Sequence, residues 1–364
     1  MVIKSAKIDT EFMRRVFQLA NKGVGYVSTN PLVGAVLVKN NRIIGEGYHQ
    51  RFGHAHAEIN AIHAASESVK GATLYCNLEP CCHSDKKTPP CAQKIIQMGI
   101  KRVVISSIDP NPKVSGKGIA LLREAGIKVV VGILQHENEE LNRFFFKYIT
   151  TRLPYVTVKI AQTLDGRITH IKGEQTWVTG AASIQRVHKW RSEYDAVLVG
   201  DNTVRTDNCA LTVREIKGRN PIRVILSGKF DLNTDYQIFN NPDKKTIILT
   251  GRPVTSEIIR KFVRKNAIIY FLPKGRSGII PIQEVLKFLG EHNIASVLVE
   301  GGQRVFSQFI FENQMDELKV FISPQIWGRG LPAIVLKGKK AGPALKFTTA
   351  EPSGSDILLT YRRI

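Results

Sequence analysis

Short apolar runs alternating with helix-period segments constrain this chain more than any other feature. Residues 33–38 (VGAVLV), 73–77, 102–106 and 128–131 are too short for core helices and are bounded by turn residues. They read as buried strands, and 42–49 returns as a partner to the first across Asn40-Asn41. Between them the pattern predicts a helix near Glu58, a helix over 91–98 stopped by Gly99, another over 118–125 ended by Gly126, and one over 136–147. At the front, Asp9-Thr10 predicts the cap of a helix whose apolar positions are Phe12, Val16, Leu19 and Ala20. Strands and helices in alternation give a layered α/β domain.

The segment 150–154 (TTRLP) interrupts the pattern and reads as a domain boundary. Beyond it, strands are predicted at 155–161, 196–200, 223–226, 246–250, 267–271 and 296–300. Helices are predicted at 183–190, 257–264, 283–291 and 304–312. The reading is two α/β domains, 1–149 and 150–364, which suits a chain of 364 residues.

Hydrophobic residues make up 43% and charged residues 23%. That balance excludes a disordered chain. No stretch approaches the roughly 18 apolar residues of a membrane span. Residues 1–9 have no apolar core of a signal peptide, so the expected location is cytoplasmic. The 52 Lys/Arg against 31 Asp/Glu give +21, a footprint shared with nucleic-acid binders. Here, however, the surplus is spread. Residues 1–150 hold 20 basic and 12 acidic residues, and residues 151–364 hold 32 and 19. The densest patches, Lys86-Lys87, 337–340 (KGKK) and Arg362-Arg363, are short of a basic arm. Anionic small molecules fit such a field without nucleic acid or membrane as partner.

Four of five cysteines, Cys76, Cys81, Cys82 and Cys91, fall in one short stretch, and Cys209 stands alone. An odd count without a signal peptide argues against a disulfide framework. His56-Ala57-Glu58, then Pro80-Cys81, then Pro90-Cys91 supply one imidazole and two thiolates. That set suits zinc with a fourth position open to water. Glu58, two residues from the histidine, is suited to carry a proton from that water to a leaving amine. Cys82 and His83 could instead complete a purely structural site. His54 and His63 read as structural or exposed.

The zinc-deaminase pattern H-x-E…P-C-x-x-C fits imperfectly, because Ser84 stands where the second cysteine belongs. Cys91 follows only after nine intervening residues. With that long loop, H-A-E, L-E-P-C and T-P-P-C resemble the deaminase half of the bifunctional riboflavin-biosynthesis deaminase/reductase family. Asn30-Pro31-x-Val33-Gly34, Gly45-Glu46-Gly47-Tyr48-His49 and Asp109-Pro110-Asn111-Pro112 are further marks. The second half carries 159–169 (KIAQTLDGRIT), 173–180 (GEQTWVTG), 199–214 (VGDNTVRTDNCALTVR) and Val299-Glu300-Gly301-Gly302. The G-x-G-x-x-G fingerprint is absent, so a Rossmann site is not indicated.

The resemblance implies a cytidine-deaminase-like three-layer N-terminal domain and a dihydrofolate-reductase-like C-terminal domain. It implies one zinc ion per chain on His56, Cys81 and Cys91, with Glu58 shuttling protons. It implies that Asn30, His49, Lys87, Asp109 and Asn111 hold the deaminase substrate. Amide and imidazole groups suit a pyrimidine edge, and Lys87 suits a phosphate. In the reductase half the resemblance places Gln175, Arg191, Leu211, Arg214 and Glu300 on the substrate. It places Ala161, Trp177, Thr203, Asp207, Ser227, Gly301, Gly302, Gln303, Arg304, Val305 and Phe306 on NADPH. Arg191 and Arg214 have the chemistry for bidentate phosphate recognition, or for salt bridges. Trp177 could equally be core. Two departures stand out: Gln175-Thr176 where the family reads Ser-Gln, and Asn208-Cys209 where it reads Asp-Pro.

The expected substrate is a small pyrimidine ribosyl phosphate, and the expected assembly a homo-oligomer, dimer or tetramer. A zinc deaminase of nucleic-acid bases with an unrelated C-terminal domain is the alternative. The charge favours it, and the missing C-x-x-C counts against it.

Overall fold

The computed structural model describes residues 2–83, 90–171, 174, 176–241, 243, 245–335 and 342–364. The chain divides into two compact units, Met1–Arg152 and Leu153–Ile364. Among the described residues no helix is long and apolar enough to cross a membrane.

The first unit runs α1 (Val2–Asn21), β1 (Gly34–Lys39), β2 (Arg42–Tyr48), α2 (Ala57–His63), β3 (Thr73–Leu78), α3 (Cys91–Gln97), β4 (Arg102–Ser107), α4 (Lys117–Glu124), β5 (Lys128–Val131), α5 (Gln135–Leu141) and α6 (Arg143–Thr151). The strands form one sheet in the order β2-β1-β3-β4-β5. β1 is antiparallel to both neighbours, and β3, β4 and β5 are mutually parallel. Side chains alternate across this sheet, as the strand period demands. Ala35, Leu37 and Leu74 pack on one face with Ala57, Ala61, Ile95 and Leu122. Val36, Val38 and Tyr75 pack on the other with Met13, Val16 and Leu19. Helices on both faces make three layers.

Glycines set the spacing between layers. A Cβ at Gly45 or Gly47 would strike the α2 backbone at Ala61, and one at Gly34 would strike α1 at Val16. The helix that carries Glu58 therefore lies directly on β2. Gly47→Ala is expected to destabilise the first unit by about 1–3 kcal/mol or more, because backbone rather than a flexible side chain must move. Thermal melting checks this; an unchanged midpoint would show that α2 can ride outward.

Two expectations are corrected. Asp9 is not a cap, because α1 begins at Val2. Asp9 is buried well inside the helix and accepts hydrogen bonds from Arg102 at 2.8 and 2.6 Å and from Tyr75 Oη at 2.8 Å. A tertiary ion pair has claimed the carboxylate that a cap would have used. The single helix expected over 136–147 is broken at Asn142. Its amide is committed to Leu32, accepting from the backbone N–H at 2.7 Å and donating to the carbonyl at 3.0 Å. The second piece, α6, passes the expected break at Thr150 and ends at Arg152, in the left-handed region at φ +59.

The second unit runs β6 (Tyr155–Thr163), β7 (Arg167–Thr169), α7 (Ala181–Glu193), β8 (Ala196–Gly200), α8 (Asp201–Asp207), β9 (Ile222–Ser227), β10 (Thr246–Thr250), α9 (Ser256–Val263), β11 (Ala267–Phe271), α10 (Ile282–Glu291), β12 (Ser296–Gly301), α11 (Gln303–Phe311), β13 (Glu317–Ser323), β14 (Leu331–Pro332), β15 (Leu345–Ser353) and β16 (Asp356–Arg363). Its main sheet has the order β11-β10-β9-β8-β12-β6-β13-β16-β15. It is parallel from β11 through β13, and β16 and β15 add antiparallel pairs. Leu198, Val224 and Leu249 face the helices α10 and α11. Val197, Val199, Ile225 and Ile248 face Phe239 and Phe262. The sheet order places the ends of β9, β8, β12 and β6 side by side at the carboxyl edge, where open α/β sheets bind ligands.

Candidate active sites

In the first unit, His56 is the residue before α2 and Glu58 lies in its first turn. Cys81 follows β3, and Cys91 opens α3 after Pro90. The His56 Nδ1 atom is 3.5 Å from Cys81 Sγ and 3.3 Å from Cys91 Sγ. The Cys91 N–H donates to Cys81 Sγ at 3.4 Å. Among the described residues these three form the cluster with metal-ligand geometry, their donor atoms all within 4.8 Å of one another. Cys82 stays out of it, its thiol directed to the Lys113 carbonyl at 3.9 Å.

The donor set suits a cation. The Cys91 thiol is pushed well above its ordinary range by its hydrogen bond with Cys81 and by burial. Two buried sulfurs in contact become thiolates when a metal neutralises them. An imidazole and two thiolates are the borderline-soft donors that zinc selects, so the residues fit that ion. Glu58 is 3% exposed. Burial raises its carboxyl above the usual carboxylate range, while neighbouring His56 pulls it back. A hydrogen bond ties it to Cys91.

A cavity of about 410 Å³ opens over this cluster. It brings together Asn30, His49, His56, Glu58, Cys81, Asp109 and Asn111. The Asn30 Nδ2 atom lies 3.1 Å from His49 Nε2, and His49 Nδ1 lies 3.2 Å from the Ala55 carbonyl. These contacts assign the proton to Nδ1, leaving Nε2 to accept from Asn30. Asp109 is buried, and its Oδ1 accepts from the Asn111 N–H at 2.8 Å. Asn111 in turn accepts from the Lys113 N–H at 3.1 Å. Lys87 lies outside the described residues.

Supporting groups went unread in the sequence. Glu79, buried beside Cys81, accepts from the backbone N–H groups of Asp109 at 3.3 Å, Gly116 at 2.9 Å and Ile119 at 3.1 Å. It clamps the loop that carries Asp109 and Asn111 to the loop that carries Cys81. Asn77, Asn138 and Asn142 form a buried amide chain that holds Leu32 and Gly34, and with them the turn bearing Asn30. Glu79 was visible in L-E-P-C, but backbone acceptors and donors leave no mark in a sequence.

In the second unit the expected phosphate fork of Arg191 is engaged. Its Nε and Nη2 donate to the two oxygens of Glu300 at 2.6 and 2.8 Å, and Nη1 donates to the Thr212 carbonyl at 3.2 Å. Lys159 Nζ lies 3.9 Å from Glu300 on the neighbouring strand. Burial pushes Glu300 up, yet Arg191 and then Lys159 outweigh it and hold the carboxyl below its usual range. Burial drives Lys159 below the ordinary lysine range, with Glu300 opposing. Sequence reasoning missed Lys159 because its partners, Arg191 and Glu300, are distant along the chain. His188, almost fully buried, accepts from the Arg214 N–H at 3.2 Å. Burial, then Arg191 and Arg214, lower it to about 4, so it is neutral at pH 7. The Arg214 side chain is half exposed, near Glu215 at 3.7 Å, and presents the more available guanidinium.

The nicotinamide-side candidates divide by role. Gly301 has φ +125, and a Cβ there would strike the Phe306 ring. Gly302 precedes α11, and a Cβ on it would come within 3.1 Å of Thr203 Oγ1. The first-turn amides of α11 have no intrahelical acceptor. The side chains of Val305 and Phe306 are buried in the core. Gln303 Nε2 donates to the Pro332 carbonyl at 2.9 Å, while Arg304 is exposed. Ser227 donates to Asp201 Oδ2 at 2.7 Å, bracing the start of α8. Asp207, the last residue of α8, is shifted upward by burial. Asn208 takes φ +42 after it and accepts from the Gln237 N–H at 2.8 Å. Leu211 is buried, and Ala161 packs beside Phe321. Trp177 is not core, being 63% exposed. Gln175 lies outside the described residues, and Thr176 Oγ1 is 3.0 Å from Thr169 Oγ1.

A deaminase-type zinc-binding unit followed by a reductase-type α/β unit is the class this fold and site define. Residues 6–107 match the family model for the cytidine and deoxycytidylate deaminase zinc-binding region, and residues 154–359 match that for the RibD C-terminal domain. The riboflavin biosynthesis protein RibD of Aquifex aeolicus is 41% identical over 98% of this chain and 99% of its own. That of Escherichia coli is 35% identical over 96% and 98%. The crystal structure of a diaminohydroxyphosphoribosylaminopyrimidine deaminase/5-amino-6-(5-phosphoribosylamino)uracil reductase from Thermotoga maritima superimposes with a TM-score of 0.89 at 40% identity, covering 99% of this chain and all of that one. The RibD of Acinetobacter baumannii gives 0.88 at 34%, covering 99% of each chain. The chain belongs to the RibD family of bifunctional deaminase/reductases of riboflavin biosynthesis.

Proposed function

We propose that the first unit, ending near residue 150, deaminates 2,5-diamino-6-ribosylamino-4(3H)-pyrimidinone 5′-phosphate, and that the second reduces the resulting ribosylaminouracil phosphate with NADPH. The observation that carries the reading is the buried Glu58 carboxyl beside the His56, Cys81 and Cys91 donor set, under a cavity lined with pyrimidine-sized polar partners. Those three residues would hold one zinc ion, which when bound makes water acidic enough to react near neutral pH. Glu58 takes a proton from the attacking water and returns it to the departing amine, so that ammonia leaves and a ring carbonyl forms. Asn30, His49 and Asp109 orient the ring, each held by the hydrogen bonds described above.

In the second unit the Gly301-Gly302 turn and the first-turn amides of α11 would hold NADPH, which when bound would supply hydride to C1′ of the opened sugar. The turn at Gly301 and Gly302 lets a ligand approach the backbone. Lys159, largely enclosed and shifted downward, is suited to give a proton to the reduced group. Glu300 holds Lys159 and Arg191 in place, and Arg214 takes the phosphate. The partners are small molecules, and a cytoplasmic homo-oligomer goes with the reading. The test is spectrophotometric. NADPH is expected to be consumed with the deaminated pyrimidine alone, and with the diamino compound only after ammonia release. Oxidation of NADPH by the diamino compound without ammonia release would reverse the order.

A further inference from the structure

Arg152 is a cation of the first-unit cavity that the chemistry above leaves without a task. It lines the same cavity as His56 and Glu58 and is solvent exposed, which puts it on the rim. It ends α6 at φ +59, its N–H donating to the Tyr148 carbonyl at 2.8 Å. Glycine adopts that conformation freely, whereas a side chain makes it strained. Arginine therefore occupies a position where the backbone alone would select glycine.

The guanidinium is placed but not consumed. Its carbon lies 5.8 Å from the centroid of the Tyr148 ring, a contact that steadies the side chain without using a hydrogen-bond donor. Among the described residues no side-chain hydrogen bond or ion pair takes up its N–H groups. Arg102 and Arg191, by contrast, each grip a carboxylate with two nitrogens. Two of the cavity's carboxylates are engaged elsewhere. Glu79 is filled by three backbone N–H groups, and Glu58 is tied to Cys91.

We propose that Arg152 binds the phosphate of the deaminase substrate, anchoring the ribosyl end at the rim while the pyrimidine reaches Glu58. A guanidinium fork matches a phosphate with two parallel hydrogen bonds. Binding energy from that remote group serves to orient the reacting ring. The proposal rests on the deamination reading above.

The test measures ammonia release by the full chain from the phosphorylated substrate and from its dephosphorylated counterpart. Arg152→Gly suits the backbone, so folding is retained, and thermal melting verifies it. The preference in kcat/KM for the phosphorylated compound is expected to fall about 10- to 100-fold, the scale of a charged hydrogen bond. The loss should sit mainly in KM, and Arg152→Lys should restore much of the preference. An unchanged preference, or an equal loss on both compounds, overturns the role of Arg152 while leaving deamination intact. Failure of the unsubstituted protein on both compounds overturns the deamination reading and this one with it.

Discussion

Glu58→Gln is expected to stop ammonia release while zinc stays bound. The amide keeps the shape and the hydrogen-bonding reach of the carboxyl but neither takes nor returns a proton. Positioned acid–base groups contribute about 10²- to 10⁴-fold, and here one group serves both transfers. A fall of at least about 10³ in kcat is therefore expected. Stability should hold or rise, because Glu58 is buried and its ionised form is opposed by that burial. Zinc content by metal analysis and NADPH oxidation on the deaminated compound should both match the unsubstituted protein. Deamination within tenfold of normal would remove Glu58 from proton transfer, and loss of zinc would make it a ligand or a prop for one.

The second large effect lies in the other unit. Glu300→Gln leaves Arg191 and Lys159 as cations without their carboxylate partner, Arg191 largely enclosed. Removing one partner of a buried ion pair costs about 3–5 kcal/mol. The melting transition of the second unit should drop accordingly, and NADPH oxidation should fall by more than the folded fraction explains. Pairing Glu300→Leu with Arg191→Met should recover much of the stability, since a well-packed apolar pair often replaces a buried bridge without loss. It should not recover reduction. Recovery of both would reduce the cluster to packing. Ammonia release should be unaffected by either variant.

The deaminase site was legible because its chemistry is written in short local motifs. His56 and Glu58 share a helix start, and each cysteine follows a proline. Geometry then had only to bring two loops together. The candidate reductase site was less legible, because its groups, on β6, α7 and β12, are paired between elements far apart in the chain. Arg191, read as a phosphate fork, meets Glu300 from more than a hundred residues away. Lys159 sat inside a recognised segment without announcing its burial. In the fold, β6 and the strands from β8 to β12 stood out as apolar runs, whereas β13 and β16, also inside the sheet, went unread. The edge strand β15 did not stand out either: LKFTTAEPS is almost wholly exposed and ends near Pro352, so it offers no alternation to read. Asp9 shows the opposite failure. A residue with strong local preference for a helix start was claimed by Arg102 and Tyr75 from elsewhere in the chain.

The contact of α2 on β2 without intervening side chains has a mechanical consequence. Interlocked side chains absorb small displacements by changing rotamer. Backbone resting on backbone at Gly45 and Gly47 has no such slack. A shift of the sheet is passed undamped to His56 and Glu58. Substitutions deep in the β1–β2 hairpin, remote from any reacting atom, should therefore slow ammonia release at temperatures where the protein is still fully folded.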